Sequence, residues 1–383
     1  MCARRIRTED AEPKNVRYAA VGLGYISQAA VLPAFAHAKE NSKLTALVSD
    51  DPEKLRELGR RYDVPRTYSY DQYDQCLTSG EIDAVYIALP NNMHAEFSVR
   101  AAERGVHVLC EKPMAVTEDE CEDMIRAAEN NDVRLMIAYR LHFEAANLKA
   151  VDIVRSGWLG EPRIFDSLFT MQVEAGNIRL KSELGGGTLY DIGIYCINAA
   201  RYIFREEPVE VFAWTAAKDQ MRFSEVEEMT SALMRFPGDR LAQFVCSFGA
   251  TSIASYRVVG AKGDLRVEPA YEYAMDLKHY LTVNEKTREE VFEKRDQFAP
   301  ELVYFSNCVI NGKEPEPSGW EGLADVRIIQ ALYRSAQIGV PIRLAPFDKR
   351  ERPSMELEQR KPPVKKPELV HAAPPFGDEG DGE

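Results

Sequence analysis

The run Val106-His107-Val108-Leu109-Cys110-Glu111-Lys112-Pro113 is apolar through most of its length and ends in two charges and a proline. It reads as a buried strand whose last residues emerge at the carboxyl edge of a parallel sheet, where such sheets bind ligands. Lys112 then projects into a cleft, where partial burial lowers an ammonium pKa and a following proline stiffens the chain. Taken alone the run reads better as a solvated strand end. Its neighbours along the chain reverse that reading.

Upstream, Val16-Arg17-Tyr18-Ala19-Ala20-Val21 forms a first strand, followed by Gly22-Leu23-Gly24-Tyr25-Ile26-Ser27 and a helical stretch from about Gln28. Strand, Gly-x-Gly turn and helix start suit a dinucleotide pyrophosphate, because glycines admit the backbone and helix amides face the phosphates. Gly22, Gly24, Tyr25 and Ile26 are therefore candidate cofactor contacts, with Ser27 in place of a third glycine. A lone Gly-x-Gly also serves purely conformational ends.

The second strand, Leu44 to Val48, ends in Ser49-Asp50-Asp51-Pro52-Glu53-Lys54, where an adenosine ribose would lie. Asp50 can accept ribose hydroxyls, which favours NAD, while Ser49 and Lys54 can hold a 2′-phosphate, which favours NADP. Asp51-Pro52-Glu53 also reads simply as a helix opening. Asp83 to Leu89 is a further buried strand. It runs into Pro90-Asn91-Asn92-Met93-His94, whose asparagines can bond a nicotinamide ribose or amide and whose histidine opens a helix to Arg104. A helix from Glu118 to Asn130 and a strand ending at Tyr139-Arg140 complete an alternation that predicts an α/β fold, a Rossmann doubly wound parallel sheet.

At 383 residues and 45% hydrophobic content the chain is long enough for two buried cores. With 48 Lys+Arg against 61 Asp+Glu, a net charge of −13 excludes non-specific attraction to nucleic acid or an anionic membrane, leaving a small molecule as partner. There is no membrane-spanning apolar run, and Met1-Cys2-Ala3-Arg4-Arg5 leads into no hydrophobic segment. Seven scattered cysteines fit reduced thiols in a cytoplasm and make no metal site.

Beyond Arg140 the helix Asn147 to Ser156 leads into a second domain. A strand from Arg163 to Val173 and a loop carrying Arg179 and Lys181 precede Gly185-Gly186-Gly187-Thr188-Leu189-Tyr190-Asp191-Ile192-Gly193-Ile194-Tyr195. On a regular helix Asp191, Tyr195 and Asn198 share one face, behind a glycine-rich entrance where larger residues would obstruct a ligand. A core helix with a satisfied tyrosine fits equally well. Gly193 implies a close neighbour, for which a nicotinamide ring is one candidate.

From Val209 the pattern turns to strands, with hairpin signals at Pro237-Gly238-Asp239 and Ala261-Lys262-Gly263. A C-terminal α+β domain with one large open mixed or antiparallel sheet is expected. Its outer face, carrying Phe244, Cys246 and Phe248 or their odd-numbered neighbours, is a candidate subunit interface for a homodimer or homotetramer. Helices follow at Ala299 to Asn311 and Trp320 to Ile338. The resulting division is an arm over 1–15, a dinucleotide domain over 16–140, a substrate domain over 141–345 and a Pro- and charge-rich disordered tail over 346–383.

Taken together, Gly22-Leu23-Gly24, Glu111-Lys112-Pro113, Tyr139-Arg140, the triple glycine and Asp191-Ile192-Gly193-Ile194-Tyr195 resemble the Gfo/Idh/MocA oxidoreductases in order and spacing. Asn198 with Arg201-Tyr202, and Glu207-Pro208-Val209-Glu210-Val211, are similar to the glucose–fructose oxidoreductase and aldose–aldose oxidoreductase branch. The resemblance implies a sugar bound between the domains above a nicotinamide, with Lys112 and Tyr195 at the reacting carbon. It implies NADP as cofactor, though Asp50 departs from that pattern toward NAD.

The expected chemistry is oxidation of an aldose at C1 to a lactone. Tyr195 is the candidate base; a phenol titrates at about 10 in water, so it needs a cation, and Lys112 supplies one. Asp191 orients sugar or lysine, and Arg179, Lys181 and Arg140 are candidates for holding the ligand. A tightly bound reduced cofactor would let a second sugar take the hydride back. The rival readings are a xylose or dihydrodiol dehydrogenase that releases its cofactor, and a non-catalytic nucleotide-binding regulator.

Overall fold

In the computed structural model, which describes residues 15–349 and 351–375, two sheets stand side by side. The first holds β1 (Val16–Val21), β2 (Ser42–Val48), β3 (Arg66–Tyr68), β4 (Ala84–Ile87), β5 (His107–Glu111) and β6 (Leu135–Ala138). Their order is β3-β2-β1-β4-β5-β6 and every pair is parallel, the doubly wound arrangement. β4 and β6 are buried along their whole length because helices cover both faces, which is why they read as unbroken apolar runs. The reversal of strand order beside β1 sets the carboxyl ends of β1, β4 and β5 around one crevice.

The second sheet comprises β7 (Pro162–Gln172), β8 (Glu210–Ala216), β9 (Met229–Phe236), β10 (Arg240–Ser247), β11 (Gly249–Gly260), β12 (Gly263–Val267), β13 (Leu277–Val283), β14 (Lys286–Phe292) and β15 (Ile342–Arg343). It is mixed, since β7 and β10 run parallel while the remaining pairs are antiparallel. Alternation along β9 and β10 buries Phe244, Cys246 and Met234 and exposes Leu233, Leu241 and Val245. The odd-numbered set of β10 thus faces outward. The helix Gly319–Ile338 packs on the helix Glu118–Asn130, on β6 and on β8, and so ties the two sheets together.

Three expectations change. The hairpin β13–β14 has no sequence signal, because its turn is Asn284-Glu285 rather than Asn-Gly and Lys286–Phe292 is a polar edge strand; both turn residues take positive φ, 50° and 62°. Residues 351–375 are not a free tail. Arg352 pairs with Glu207, the Pro353 carbonyl accepts from Arg205, and Val370 joins an apolar cluster with Leu44, Leu55 and Tyr62. The proline-rich composition that suggested disorder instead gives an extended chain whose polar groups bond to the domains it crosses. Of the expected arm over 1–15 only Asn15 is described; residues 1–14, like residues 376–383, lie outside the described residues.

The third change concerns Leu189–Gly193, which forms a π-helical turn before the helix Ile194–Phe204. The wider turn lies before Ile194, so it alters the setting of Asp191 against the helix, while Tyr195 and Asn198 keep their three-residue spacing and line one cavity; the Asn198 side chain is nevertheless not left free for a ligand. Its carboxamide instead donates to Glu321 and Asp325 and accepts from His142, inside a buried network that includes Arg201, fully enclosed and paired with Glu207, Glu321 and Asp325. A Cβ on Gly193 would meet Cys246 Sγ at 3.2 Å and Leu189 Cδ2 at 3.0 Å, so a side chain of the second sheet is its close neighbour, not a nicotinamide.

Candidate active site

β5 ends by placing Lys112 in the crevice, ahead of a cis Lys112–Pro113 bond. Its Nζ donates to the backbone carbonyl of Asp191 at 2.8 Å, lies 3.6 Å from the Asp191 carboxylate and sits 4.8 Å from the centroid of the Tyr195 ring. Arg179 Nε holds the other Asp191 oxygen at 2.7 Å. Burial pushes the Asp191 carboxyl upward, but Arg179 and Lys112 outweigh it and the net shift is downward, so the group stays ionised. Behind Tyr195 the Arg140 guanidinium lies 5.1 Å from the ring centroid, its donors engaged by Gln297 and the Tyr271 carbonyl. A phenol flanked by two cations, one held by a main-chain carbonyl, is equipped for proton transfer. The small cavity beside them is lined by Lys112, Arg140, Ile194, Tyr195 and Asn198 among others.

Glu111, next to Lys112, accepts from Tyr86 at 2.8 Å; burial raises its pKa although Lys112 opposes the shift. At the dinucleotide end Gly22 has φ +87° and a Cβ there would lie 2.5 Å from the Ala88 carbonyl oxygen, so the protein's own backbone requires glycine. Gly24 has no atom within 4 Å of an added Cβ. The open space above it fits a pyrophosphate approaching the backbone, and Tyr25 and Ile26 follow on the same turn. Ser27, where a third glycine was looked for, donates from Oγ to the Gly22 carbonyl at 2.5 Å and steadies the loop.

Other sequence candidates fall differently. Asp50 accepts from the Tyr70 amide at 2.7 Å, which anchors it to the loop after β3. Ser49 is buried and accepts from the Asp51 amide; Asp51 caps the helix Pro52–Arg61 through the amides of Glu53 and Lys54. Pro90 precedes a short 3₁₀ turn, and Asn91 donates to the Gly185 carbonyl at 2.8 Å.

His94 does not face the crevice. It is buried, and its ring nitrogens lie 2.8 Å and 2.9 Å from the Pro113 and Leu89 carbonyl oxygens, so it ties two strand ends together. Lys181 pairs with Glu225 at 2.6 Å on the rim of a larger, separate cleft, away from Lys112. The triple glycine is required by the protein's own packing, since added Cβ atoms would strike Val116, the Arg179 carbonyl oxygen and Tyr333, and Gly185 and Gly186 line the larger cleft rather than the cavity at Tyr195. Sequence reading missed Tyr271, Tyr273 and Gln297, which wall in Arg140 and Tyr195; their only signal was an aromatic pair after a Glu-Pro turn. Among the described residues no His/Cys/Asp/Glu group is placed to hold a metal ion. The six described cysteines are unpaired and buried. No described helix is long and apolar enough to cross a membrane.

A glycine turn and a strand-end lysine on a doubly wound sheet, facing a tyrosine and a buried carboxylate supplied by a second domain, define a two-domain dinucleotide oxidoreductase. Residues 16–139 match the Gfo/Idh/MocA family's NAD-binding Rossmann-fold model, and residues 147–266 match the Gfo/Idh/MocA C-terminal domain. The chain is 33% identical over 345 residues to D-xylose 1-dehydrogenase [NADP(+)] of Haloarcula marismortui, covering 88% of this chain and 95% of the relative. The crystal structure of aldose–aldose oxidoreductase from Caulobacter crescentus, complexed with glycerol, is similar with a TM-score of 0.82 and 38% identity, over 86% of this chain and 100% of that one. KijD10, a 3-ketoreductase from Actinomadura kijaniata in complex with NADP and TDP-benzene, follows with a TM-score of 0.78 and 25% identity, over 84% and 98%. The chain belongs to the Gfo/Idh/MocA oxidoreductase family. It is an NAD(P)-dependent oxidoreductase acting on CH–OH groups.

Proposed function

We propose that this enzyme oxidises an aldose at C1 to the lactone, with NADP as the preferred cofactor and NAD as the alternative. The observation that carries the reading is the convergence of Lys112 and Arg140 on the Tyr195 ring, at 4.8 and 5.1 Å from its centroid. When bound, the nicotinamide supplies the hydride acceptor. Tyr195 takes the proton of the C1 hydroxyl, and the two cations place positive charge where a phenolate base needs it. Lys112 donates to the same sugar oxygen. The Asp191 carbonyl keeps the ammonium oriented, and the carboxylate of the same residue, ionised and held by Arg179, accepts from a neighbouring sugar hydroxyl.

Residues Gly22, Gly24, Tyr25 and Ile26 receive the pyrophosphate, Ser49 and Lys54 the 2′-phosphate, and Pro90, Asn91 and Glu111 line the nicotinamide end. The Tyr70 amide on Asp50 offsets part of the negative charge that would otherwise oppose a 2′-phosphate. The xylose dehydrogenase relative is named for NADP and the ketoreductase structure contains it, which supports the same choice. The division into a dinucleotide domain over 16–140 and a substrate domain over 141–345 belongs to this reading, as do a cytoplasmic location and a homodimer or homotetramer built on the second sheet. A second aldose can enter the same crevice and be reduced if the cofactor is retained.

Mass spectrometry of nucleotide released on denaturation, followed by a panel of aldoses with absorbance of reduced nicotinamide as readout, tests the proposal. Turnover of aldoses that stops in Tyr195→Phe supports it. Turnover confined to ketosugar nucleotides or dihydrodiols would replace the substrate class.

A further inference from the structure

The C-terminal segment crosses the crevice it was expected to hang away from. After the anchors at Arg352 and at Lys361, whose carbonyl accepts from the Asp296 amide, the Glu368 carbonyl accepts from Arg61. Val370 then pairs in both directions with the buried Gln28 carboxamide: Gln28 Nε2 donates to its carbonyl and its amide donates to Gln28 Oε1, each at 2.8 Å. Gln28 lies one turn beyond the Gly22–Gly24 loop and also donates to the Leu23 carbonyl. The strap therefore rests on the element that receives the pyrophosphate.

Two side chains of this segment carry positive or titratable charge to that place. Lys366 Nζ is 6.0 Å from the ring centroid of Tyr25 in the glycine turn, and His371 Nδ1 is 2.9 Å from Asp51 at the end of β2. Beyond His371 the chain leaves the first domain, and the Pro375 carbonyl accepts from the Glu174 amide just past the end of β7. Four residue steps, a reach of at most about 14 Å, thus join the ribose end of the dinucleotide crevice to the second domain, at a point five residues before Arg179 in the chain. Prolines 362, 363, 367, 374 and 375 stiffen the segment, so ordering it costs less conformational entropy than ordering a flexible chain.

We propose that residues 366–375 are a strap that closes over the bound dinucleotide and slows its release, with Lys366 and His371 directed at its phosphates. The inference rests on the dinucleotide reading of the crevice and adds to it a retention device and two cofactor-facing residues. Retention is what sugar-to-sugar hydride exchange requires, because the reduced cofactor must outlast the departure of the lactone.

The test compares the full chain with a chain ending at Lys361, which keeps Arg352 and Lys361, and with the double substitution Lys366→Ala/His371→Ala. Each is loaded with NADPH, and release is followed by loss of its fluorescence on mixing with excess NADP⁺. Release about tenfold faster or more from the shortened chain, with an intermediate rate in the double variant, is the expected result. Equal rates within about twofold in all three would overturn the strap and leave the enzyme's function untouched. If neither the full nor the shortened chain binds NADPH or NADH, the dinucleotide reading of the crevice fails and the strap fails with it.

Discussion

Lys112 Nζ is held at 2.8 Å by the main-chain carbonyl of Asp191, whereas the carboxylate of the same residue stands 3.6 Å away. The ammonium is thus positioned by backbone that a side-chain substitution does not remove. Lys112→Ala should lower kcat by about 10²- to 10⁴-fold, the range for loss of a positioned proton-transfer group. Asp191→Asn should cost only about tenfold in kcat, since the carbonyl still holds the lysine and the charge-assisted bond to Arg179 alone is weakened. Steady-state kinetics on both variants checks this, and an Asp191→Asn defect as deep as that of Lys112→Ala would make the carboxylate a direct participant.

Tyr195 packs edge-on against Phe169, with ring centroids 5.6 Å apart, so Tyr195→Phe preserves the packing and removes only the hydroxyl. Nucleotide affinity should stay within about twofold while kcat falls by about 10²-fold or more. Fluorescence titration with NADPH beside turnover assays separates the two effects.

The two glycines of the nucleotide turn should fail in opposite ways. A Cβ on Gly22 would stand 2.5 Å from the Ala88 carbonyl oxygen at φ +87°, so Gly22→Ala should lower stability by about 1–3 kcal/mol. Gly24 faces open space, so Gly24→Ala should melt like the parent but bind dinucleotide at least about tenfold more weakly by excluding the phosphate. Thermal melting in the absence of nucleotide, set against NADPH titration, reads both.

That contrast marks how much the sequence disclosed. The first sheet was legible because strands buried on both faces are continuous apolar runs, and β1, β4 and β5 needed no tertiary knowledge to find. Lys112 and Tyr195 were found because each sits next to a local signal, a strand end and a glycine-rich helix start. The positions of His94, Lys181 and Asn198 were not legible: each is decided by a partner far along the chain, at Pro113, Glu225 and Glu321. The π turn at Leu189–Gly193 has no periodicity of its own, and it alters the setting of Asp191 against the helix that carries Tyr195 and Asn198.

Stability should fall as pH rises from about 6.5 into the mildly alkaline range. Burial lowers the pKa of His142, but the Glu316 carboxylate at 2.7 Å outweighs it and the net shift is upward from about 6.5. A raised histidine contributes stability that is fully present below the unfolded value and lost as pH climbs through the folded one. Asp325 adds the same sign: burial and then Glu321, against Arg201, push it up to about 6, so its neutral form is favoured and ionisation above the usual carboxylate range is unfavourable. Below that range the sign reverses, because Asp191 and Glu207 are shifted down and lose their ion pairs on protonation. Below about pH 6.5, His94, His107 and His279, all shifted down by burial, carry the opposite sign, so melting temperature should decline from about pH 6.5 toward pH 8, and that decline should be absent in His142→Gln. An unchanged slope in that variant would remove His142 as its source.

On the outer face of the second sheet, Ile164, Leu233, Leu241 and Val245 are exposed by 46, 44, 52 and 36%. They lie on adjacent strands, Leu241 opposite Ile164 across β10 and β7, and Leu233 beside them on β9. A sheet whose other face is already covered by helices loses contact between this apolar face and water only by meeting a second surface, and a twofold partner presenting the same face supplies one. A stable pairing buries about 800 Å² on each side, and lysines at its centre would have to be desolvated without partners. Leu233→Lys/Val245→Lys should therefore shift the enzyme toward monomer at micromolar concentration, measured by size-exclusion chromatography with light scattering. Tyr195 sits on a helix that packs against the covered face of this sheet, and Lys112 comes from the first domain, so initial rates should outlast dissociation. A parent chain that is already monomeric under the same conditions would remove this face from any role in assembly.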